Sequence, residues 1–595
     1  MNNSGGHPTL WPRAGAYGAG LPHRQVNCYV DSGYRHGSVG GSEVSIAPQF
    51  AAHPATTLGD LLVRAATEAP DRMAVVTPRA IITYQGLLDR ARRVARGLVG
   101  LGVKAQSNVG IFAPNGIPYL EALFAVHLVG ATAVPINVRH RTSELRFIVT
   151  HADLDVVLTT TEIDDYSDLG AVLTEALPGA SIADDPSDLQ LEGCKLRSVV
   201  LLDGHGKPGT LARHNLEDLA GRVTDPEVDA LRIGVQPSDL AVILYTSGTT
   251  AHPKGCMLSH DALTRGPVDR ARKRFRTAED HDVFWIPGPM FHVGALSPYV
   301  CCLAATGTVL TDEYFDAGRA LKLMRLHGVT SGWPWFPVIT SAVLDHPDFD
   351  PSALSSLRYL GQVGPRSLFD RLRETLPETE LIKSSGMTET AGSFGLSSPD
   401  ERFEERVIHQ GEPVRDVEVK VVDPVSEDEL PRGSVGHLLV RGYCVTSGYY
   451  GEPELTEQTI DEDGWLRTGD LYSHTARGKL NFHGRHKDML RVGGENVAPL
   501  ELEEFLCDHP AVETAAVVGQ PDDRLDEVPV AFVELRPDAV VESQDLIDFC
   551  RGQIASFKVP RAVHFVRPGE WPVSATKIDK RALRDRVRAR PEQKD

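Results

Sequence analysis

The sequence predicts an α/β protein of more than one domain. Helical and strand patterns alternate from Leu58 onward, and a chain of 595 residues exceeds the size at which one core keeps growing. Beyond Glu418 the character shifts to short β-rich pieces separated by Pro and Gly, and a fresh helical pattern starts beyond Gly494. These observations give a large N-terminal α/β domain, a small β subdomain and a small α+β C-terminal domain.

Residues 1–50 are rich in Gly, Ser, His and Pro without periodicity and read as a disordered extension. Leu87, Ala91, Val94, Leu98 and Leu101 then share one helical face, and Val109 to Phe112 reads as a strand. A second helical pattern covers Tyr119 to Val129, followed by a strand at Ala131 to Pro135. The window Tyr119 to Ile136 is the most apolar of the chain, yet Glu121, His127 and Pro135 make it a buried helix and strand rather than a membrane span. Val419–Val422 and His437–Val440 are the strands of the β subdomain. The basic, glycine-bearing segment Gly484 to Gly494 marks a boundary, giving domains over 51–484 and 485–595. Past it, Leu502, Phe505 and Leu506 share a helical face, and strands follow at Val512–Val518 and Val528–Leu535.

Lys+Arg 61 against Asp+Glu 81 gives a net charge of −20, the wrong sign for a nucleic-acid binder. The eight cysteines are scattered with no CxxC pair, as in a reducing compartment, and no apolar leader follows a basic start. A cytoplasmic protein is expected.

Chemistry concentrates first at Tyr245 to Gly255, YTSGTTAHPKG, after the apolar run Leu240 to Leu244. Gly248 frees backbone N–H groups to face phosphate oxygens, Thr246, Ser247, Thr249 and Thr250 add hydroxyls, and Lys254 adds positive charge. Lys254 precedes the second glycine and no Ser or Thr follows it, so this is not a Walker A loop. Four further pieces come later in the chain. They are Ser385, Gly386, Met387, Thr388 and Glu389; Gly464 to Leu471 with Asp470; Gly484 to Asp488 with Arg485; and Pro572 to Lys577. Glu389 offers a carboxylate suited to Mg²⁺. Arg485 has a donor fork for ribose or phosphate oxygens.

With these pieces in this order, from about Leu58 to Leu583, the chain resembles the adenylate-forming superfamily, in its acyl-CoA synthetase branch. That resemblance implies an AMP-binding N-terminal domain and a mobile C-terminal domain turning about a hinge near Lys487. It also implies ATP, Mg²⁺ and CoA as reactants or cofactors. Thr388 would donate to the α-phosphate, Glu389 and Thr246 would hold the metal, and Asp470 would accept the ribose hydroxyls. Lys577 would bridge the carboxylate and the α-phosphate as two anions approach. Gly493 and Gly494 would give room to the pantetheine arm. The stretch Trp285 to Ala295 matches the acyl-pocket motif, so Trp285, Phe291, Val293 and Gly294, with Trp333, Trp335 and Phe336, would wall an apolar cavity. His292 would orient the carboxylate or gate the CoA channel, and its place, where amino-acid-activating relatives carry Asp, disfavours an amino acid substrate.

Three positions depart from the family pattern. Ala251 stands where glycine is usual, Ser385 replaces the aromatic that stacks on adenine, and the glycine before Lys577 is missing. Adenine would then draw on the strand end Gly361 to Gly364, including Val363. The leading reading is an AMP-forming CoA ligase for a hydrophobic acid. An acyl-AMP ligase loading a carrier protein and a non-catalytic ATP-binding homologue are the alternatives.

Overall fold

The computed structural model describes residues 56–588 apart from 164–166, 178, 181–184, 204–207, 247–252, 276–280, 493–494, 523 and 575–576. Everything below concerns the described residues of the unit Ala52–Asp595.

Two large sheets form its body. One runs in the order Glu380–Ile382, Tyr359–Gln362, Ser331–Trp335, Val283–Trp285, Thr308–Leu310, Met73–Val76 and Ile81–Thr83, parallel except for its last pair. The other runs Lys254–Ser259, Leu240–Thr246, Thr132–Pro135, Asn108–Phe112, Val156–Thr159 and Ser198–Leu201, parallel except for its first pair. Parallel sheets need crossover helices that cover their faces, which is why their strands read as continuous apolar runs. The helix Tyr84–Gly100 is one such cover. Thr83 caps it by accepting from Gly86 N at 3.1 Å, and Leu87, Ala91, Val94 and Leu98 are buried along it.

The apolar window lies where the sequence put it, as the helix Ile117–Leu128 and the strand Thr132–Pro135, both buried. Glu121 is fully buried on that helix and is held by Arg90 Nε at 3.0 Å and by Arg213. A buried carboxylate is tolerated only when paired in this way. His127, on the same helix, sits edge-on to His260 with ring centroids 5.1 Å apart. Burial lowers both pKa values, that of His127 well below the usual range and that of His260 to about 4. The folded state therefore keeps both rings neutral, while the unfolded chain binds protons near pH 6.5. Their contribution to stability is full above pH 6.5 and is lost as pH falls toward 4, for His260 on the order of 3 kcal/mol. Denaturant midpoints measured from pH 7.5 down to 5 should fall, and His127→Phe should flatten that slope.

Antiparallel sheets make the β subdomain: Ser384–Met387, Gly392–Leu396 and Glu412–Pro413 in one, and Val417–Val422, Val435–Gly442, Leu466–His474 and Leu480–Arg485 in the other. Phe394, Leu438, Tyr472 and Leu480 share the core between them. The remaining residues build a separate five-stranded sheet, in which Val512–Asp522 pairs antiparallel with Asp526–Leu535 and Ala562–Phe565 adds in parallel. The helix Pro499–Cys507 covers it through Leu502 and Leu506. Among the described residues no helix is long and apolar enough to cross a membrane, and the cysteines there are free thiols.

Candidate functional site

Leu240–Thr246 and Lys254–Ser259 pair antiparallel as a β-hairpin, with Lys254 opposite Thr246. A Walker A loop joins a strand to a helix instead, and this difference agrees with the position of Lys254 in the motif. Ser247, Gly248, Thr249, Thr250 and Ala251 lie outside the described residues. Lys254 Nζ stands 5.5 Å from the centre of the Tyr449 ring. The Tyr449 hydroxyl donates to Glu389 Oε1 at 2.8 Å, so one tyrosine links the hairpin to the carboxylate. Sequence reading missed Tyr449, whose only signal is the aromatic pair Tyr449 and Tyr450 inside a glycine-flanked segment.

Glu389 sits in the single turn Thr388–Thr390, which joins Ser384–Met387 to Gly392–Leu396. The turn closes on Ala391 at φ 50. Gly386 is required by space: a Cβ there would lie 2.1 Å from the Gly392 carbonyl oxygen. Met387 N donates to Thr390 Oγ1 at 3.1 Å and fixes the start of the turn. Ser385 is buried and accepts from the Tyr472 hydroxyl at 2.9 Å.

Asp470 and Arg485 face each other across neighbouring strands, with Arg485 Nε 3.1 Å from Asp470 Oδ1. That contact is an ion pair without hydrogen-bond alignment, and the buried Oδ1 has no hydrogen-bond partner. Gly469 at φ +72 and the Asp470 N to Thr468 Oγ1 bond of 3.2 Å hold the carboxylate in place. Burial raises its pKa, opposed by Arg485 and Lys577. An unsatisfied buried carboxylate oxygen is costly, and a ribose hydroxyl would relieve it. Asp470→Asn should therefore raise KM for ATP by about 10- to 100-fold while KM for the acid moves little, as steady-state pyrophosphate release would report.

Lys577 has an exposed surface, yet loss of hydration is the leading cause that lowers its pKa, reinforced by Arg485 and opposed by Asp470 and Glu389. An ammonium at the mouth of a crowded crevice satisfies both observations. His292 caps the helix Val293–Ala304, and its Nε2 is buried without a partner. Burial, then Arg139, Lys577 and His140, push its pKa down to about 4, so the ring is neutral at pH 7. Lys487 lies in the turn His486–Asp488, where burial and Arg485 lower its pKa, and Arg584 Nη2 reaches Asp488 Oδ1 at 2.5 Å.

Phe291 is buried with its ring 4.7 Å from that of His292. The Trp335 indole N–H donates to the Gly294 carbonyl at 2.9 Å, and the Trp333 ring lies 5.4 Å from that of Trp335. Val293 and Gly294 open the helix at this point, and Phe336 caps the helix Pro337–Leu344. Trp333 also lies against Gly361, whose Cβ would be 2.6 Å from the indole. At that strand's end Val363 N donates to Trp335 O at 2.9 Å and Gly364 adopts φ +148. Trp285 is not brought to this wall. It packs in a different core with Met324, Val343 and Leu360, because strand alternation turns it to the other side of the sheet. Gly493 and Gly494 lie outside the described residues.

The donor set fits the expected metal. Mg²⁺ takes one or two carboxylates and completes its shell with phosphate oxygens and water. Glu389 supplies such a carboxylate beside the hairpin that ends in Thr246, and among the described residues no larger cluster of His, Cys, Asp or Glu gathers.

The sequence profile of the AMP-binding enzyme family matches residues 62–450, and that of the AMP-binding enzyme C-terminal domain matches residues 501–576. The chain belongs to the AMP-binding enzyme family. It is 32% identical to the putative acyl-CoA synthetase YngI of Bacillus subtilis, over 89% of this chain and 97% of the relative. It is also 32% identical to a 3-[(3aS,4S,7aS)-7a-methyl-1,5-dioxo-octahydro-1H-inden-4-yl]propanoyl:CoA ligase of Rhodococcus jostii, over 86% of this chain and 95% of that one. Among solved structures, an anthranilate CoA ligase, AuaEII, in complex with anthranoyl-AMP superposes with a TM-score of 0.77 at 26% identity, covering 90% of this chain and 98% of that one. ATP-bound MatB from Rhodopseudomonas palustris gives a TM-score of 0.74 at 28% identity, covering 89% and 98%. This AMP-binding enzyme is an AMP-forming acid:CoA ligase that acts on a carboxylic acid with ATP, Mg²⁺ and CoA.

Proposed function

We propose that this ligase activates a hydrophobic carboxylic acid, and that Lys577 carries the first chemical step. The observation behind this reading is that Lys577, from the last motif, feels the charges of Glu389, Asp470 and Arg485, and His292 feels Lys577 in turn. A carboxylate oxygen bonds to the α-phosphorus of ATP as the bond to the bridging oxygen of pyrophosphate breaks. Both partners are anionic, so the Lys577 ammonium and the Thr388 hydroxyl lower the repulsion where charge builds. Mg²⁺, held by Glu389 with Thr246, would neutralise the phosphates. Asp470 and Arg485 would orient the ribose, and neutral His292 would accept or donate near the acyl group without adding charge. The CoA sulfur then bonds to the acyl carbon, the bond to AMP oxygen breaks, and the thiol proton leaves to solvent.

A second domain orientation would serve that thioester step. Residues 51–484 and 485–595 are the two bodies of this proposal, turning near Lys487, with Gly493 and Gly494 passing the pantetheine arm. The acid class is read from the wall of Trp333 and Trp335, whose rings lie 5.4 Å apart beside Gly294; Phe291 packs in a different core, with Phe112 and Ile243. Two relatives are named for acids built on rings, an anthranilate and a propanoyl-substituted indene dione, which agrees with such a wall. Free thiols among the described residues fit a cytoplasmic enzyme.

Incubating the full chain with MgATP, CoA and a panel of fatty, aryl and bicyclic acids tests the reading. Acyl-CoA from one apolar class is expected, and turnover confined to short polar acids would overturn it.

A further inference from the structure

Arginines are buried at three positions among the described residues, and two of them are fully engaged. Arg274 binds Glu380 and donates to the Ser397 carbonyl at 2.6 Å. Arg406 donates to Glu380 Oε1 and to the carbonyls of Leu381, Ser398, Pro399 and Glu401, each at 2.8 or 2.9 Å. Arg270 differs. It is 5% exposed, on the helix His260–Arg274, and its Nε and Nη1 are buried without a hydrogen-bond partner among the described residues. Its guanidinium rests over the Trp333 ring at 5.7 Å. The other groups around it are the Cys301 thiol, the Tyr443 phenol, Arg274 and Asp269. Asp269 is already held by Lys273 at 2.6 Å and by Arg415 at 3.8 Å. A buried guanidinium with two nitrogens lacking acceptors is costly, and an indole ring 5.7 Å away returns only part of that cost.

Where this arginine sits gives the cost a use. Trp333 is the ring that connects it to the acyl wall, through Trp335 to Gly294 and so to His292, which feels Lys577. Cys301, beside Arg270, lies nine residues along the helix from His292, or about 13 Å at 1.5 Å per residue. We propose that Arg270 is a specificity-determining residue at the far end of the acyl pocket, pairing with a second oxygen acceptor of the acid, a ketone or a carboxylate, on the order of 10 Å from the reacting carboxyl. This deepens the reading of Trp333 and Trp335 as pocket wall and rests on it. An acid of this kind stays hydrophobic along its length and is polar at both ends.

The test compares octanoic acid, the oxo-octanoic acid with its ketone next to the terminal methyl, and octanedioic acid. Each is turned over by the full-length enzyme with MgATP and CoA, and kcat/KM for acyl-CoA is read beside pyrophosphate release. The wild type should prefer one oxygen-bearing acid over octanoic acid by on the order of 100-fold, and which one wins identifies ketone or carboxylate. Arg270→Met should abolish that preference while octanoate turnover stays within about 3-fold, and Arg270→Lys should restore part of it for the diacid. Indifference of the wild type to the distal oxygen would overturn the proposal even if neither variant folds. Equal loss with all three acids in a folded Arg270→Met protein would also overturn it, by making the residue structural. If no acid supports pyrophosphate release, the hydrophobic-acid reading fails and this proposal falls with it.

Discussion

Replacing Lys577 by alanine should lower substrate-dependent pyrophosphate release by on the order of 1,000-fold while leaving thioester formation from supplied acyl-adenylate within about 5-fold. The asymmetry follows from where the charge acts. The ammonium lies among Arg485, Asp470 and Glu389, where two anions must meet in the first step, whereas the second step joins a thiol to an already neutral acyl centre. Loss of hydration lowers its pKa, so the ammonium gives up its proton at a lower pH than a free lysine would, and the wild-type first step should weaken at alkaline pH as that proton is lost. Rapid-quench measurement of both half-reactions decides the matter. Equal loss in the two steps would mean that the residue holds the domain in place rather than stabilising charge.

A methyl group at Gly386 is expected to do comparable damage by a different route. Its Cβ would fall 2.1 Å from the Gly392 oxygen and 2.7 Å from the Gly392 carbon, so Ser384–Met387 and Gly392–Leu396 would have to separate. Overpacking of that kind costs about 3 kcal/mol or more, and the turn bearing Thr388 and Glu389 would move with the strands. Gly386→Ala should therefore lower the denaturation midpoint and nearly abolish adenylate formation. Gly234→Ala is the matched control, because nothing lies within 4 Å of a Cβ there and the residue ends a helix. A Gly386→Ala protein as stable and active as that control would refute the steric argument.

Much of this architecture was legible in the sequence because its signals are local. Leu87, Ala91, Val94 and Leu98 mark a helix by spacing alone, and the apolar window could be assigned to a buried helix and strand because it holds the polar Glu121 and His127 and the helix-breaking Pro135. The placement of Trp285 was not legible. Both faces of a parallel sheet are covered, so an apolar strand carries no mark of which face turns toward the substrate. Trp285 and Phe291 share one motif, yet Trp285 belongs with Met324 behind the sheet. Tyr449 escaped for another reason, since its bond to Glu389 joins positions 60 residues apart and periodicity does not reach that far. Nothing in the sequence separates Arg270 from the neighbouring cations Arg272 and Lys273. Burial against Trp333 sets it apart in the fold, where Arg272 and Lys273 are exposed.

Gly361 meets the indole of Trp333 with bare backbone, and a Cβ there would lie 2.6 Å from the ring. With Trp333 as the proposed pocket wall, a carbon added at Gly361 would have to displace that ring, which would change capacity for the acid while leaving Asp470, Glu389 and Lys577 untouched. An engineer wishing to retune the enzyme toward smaller acids would start at this position, and natural variation could shift diet by the same step without relearning how to handle ATP.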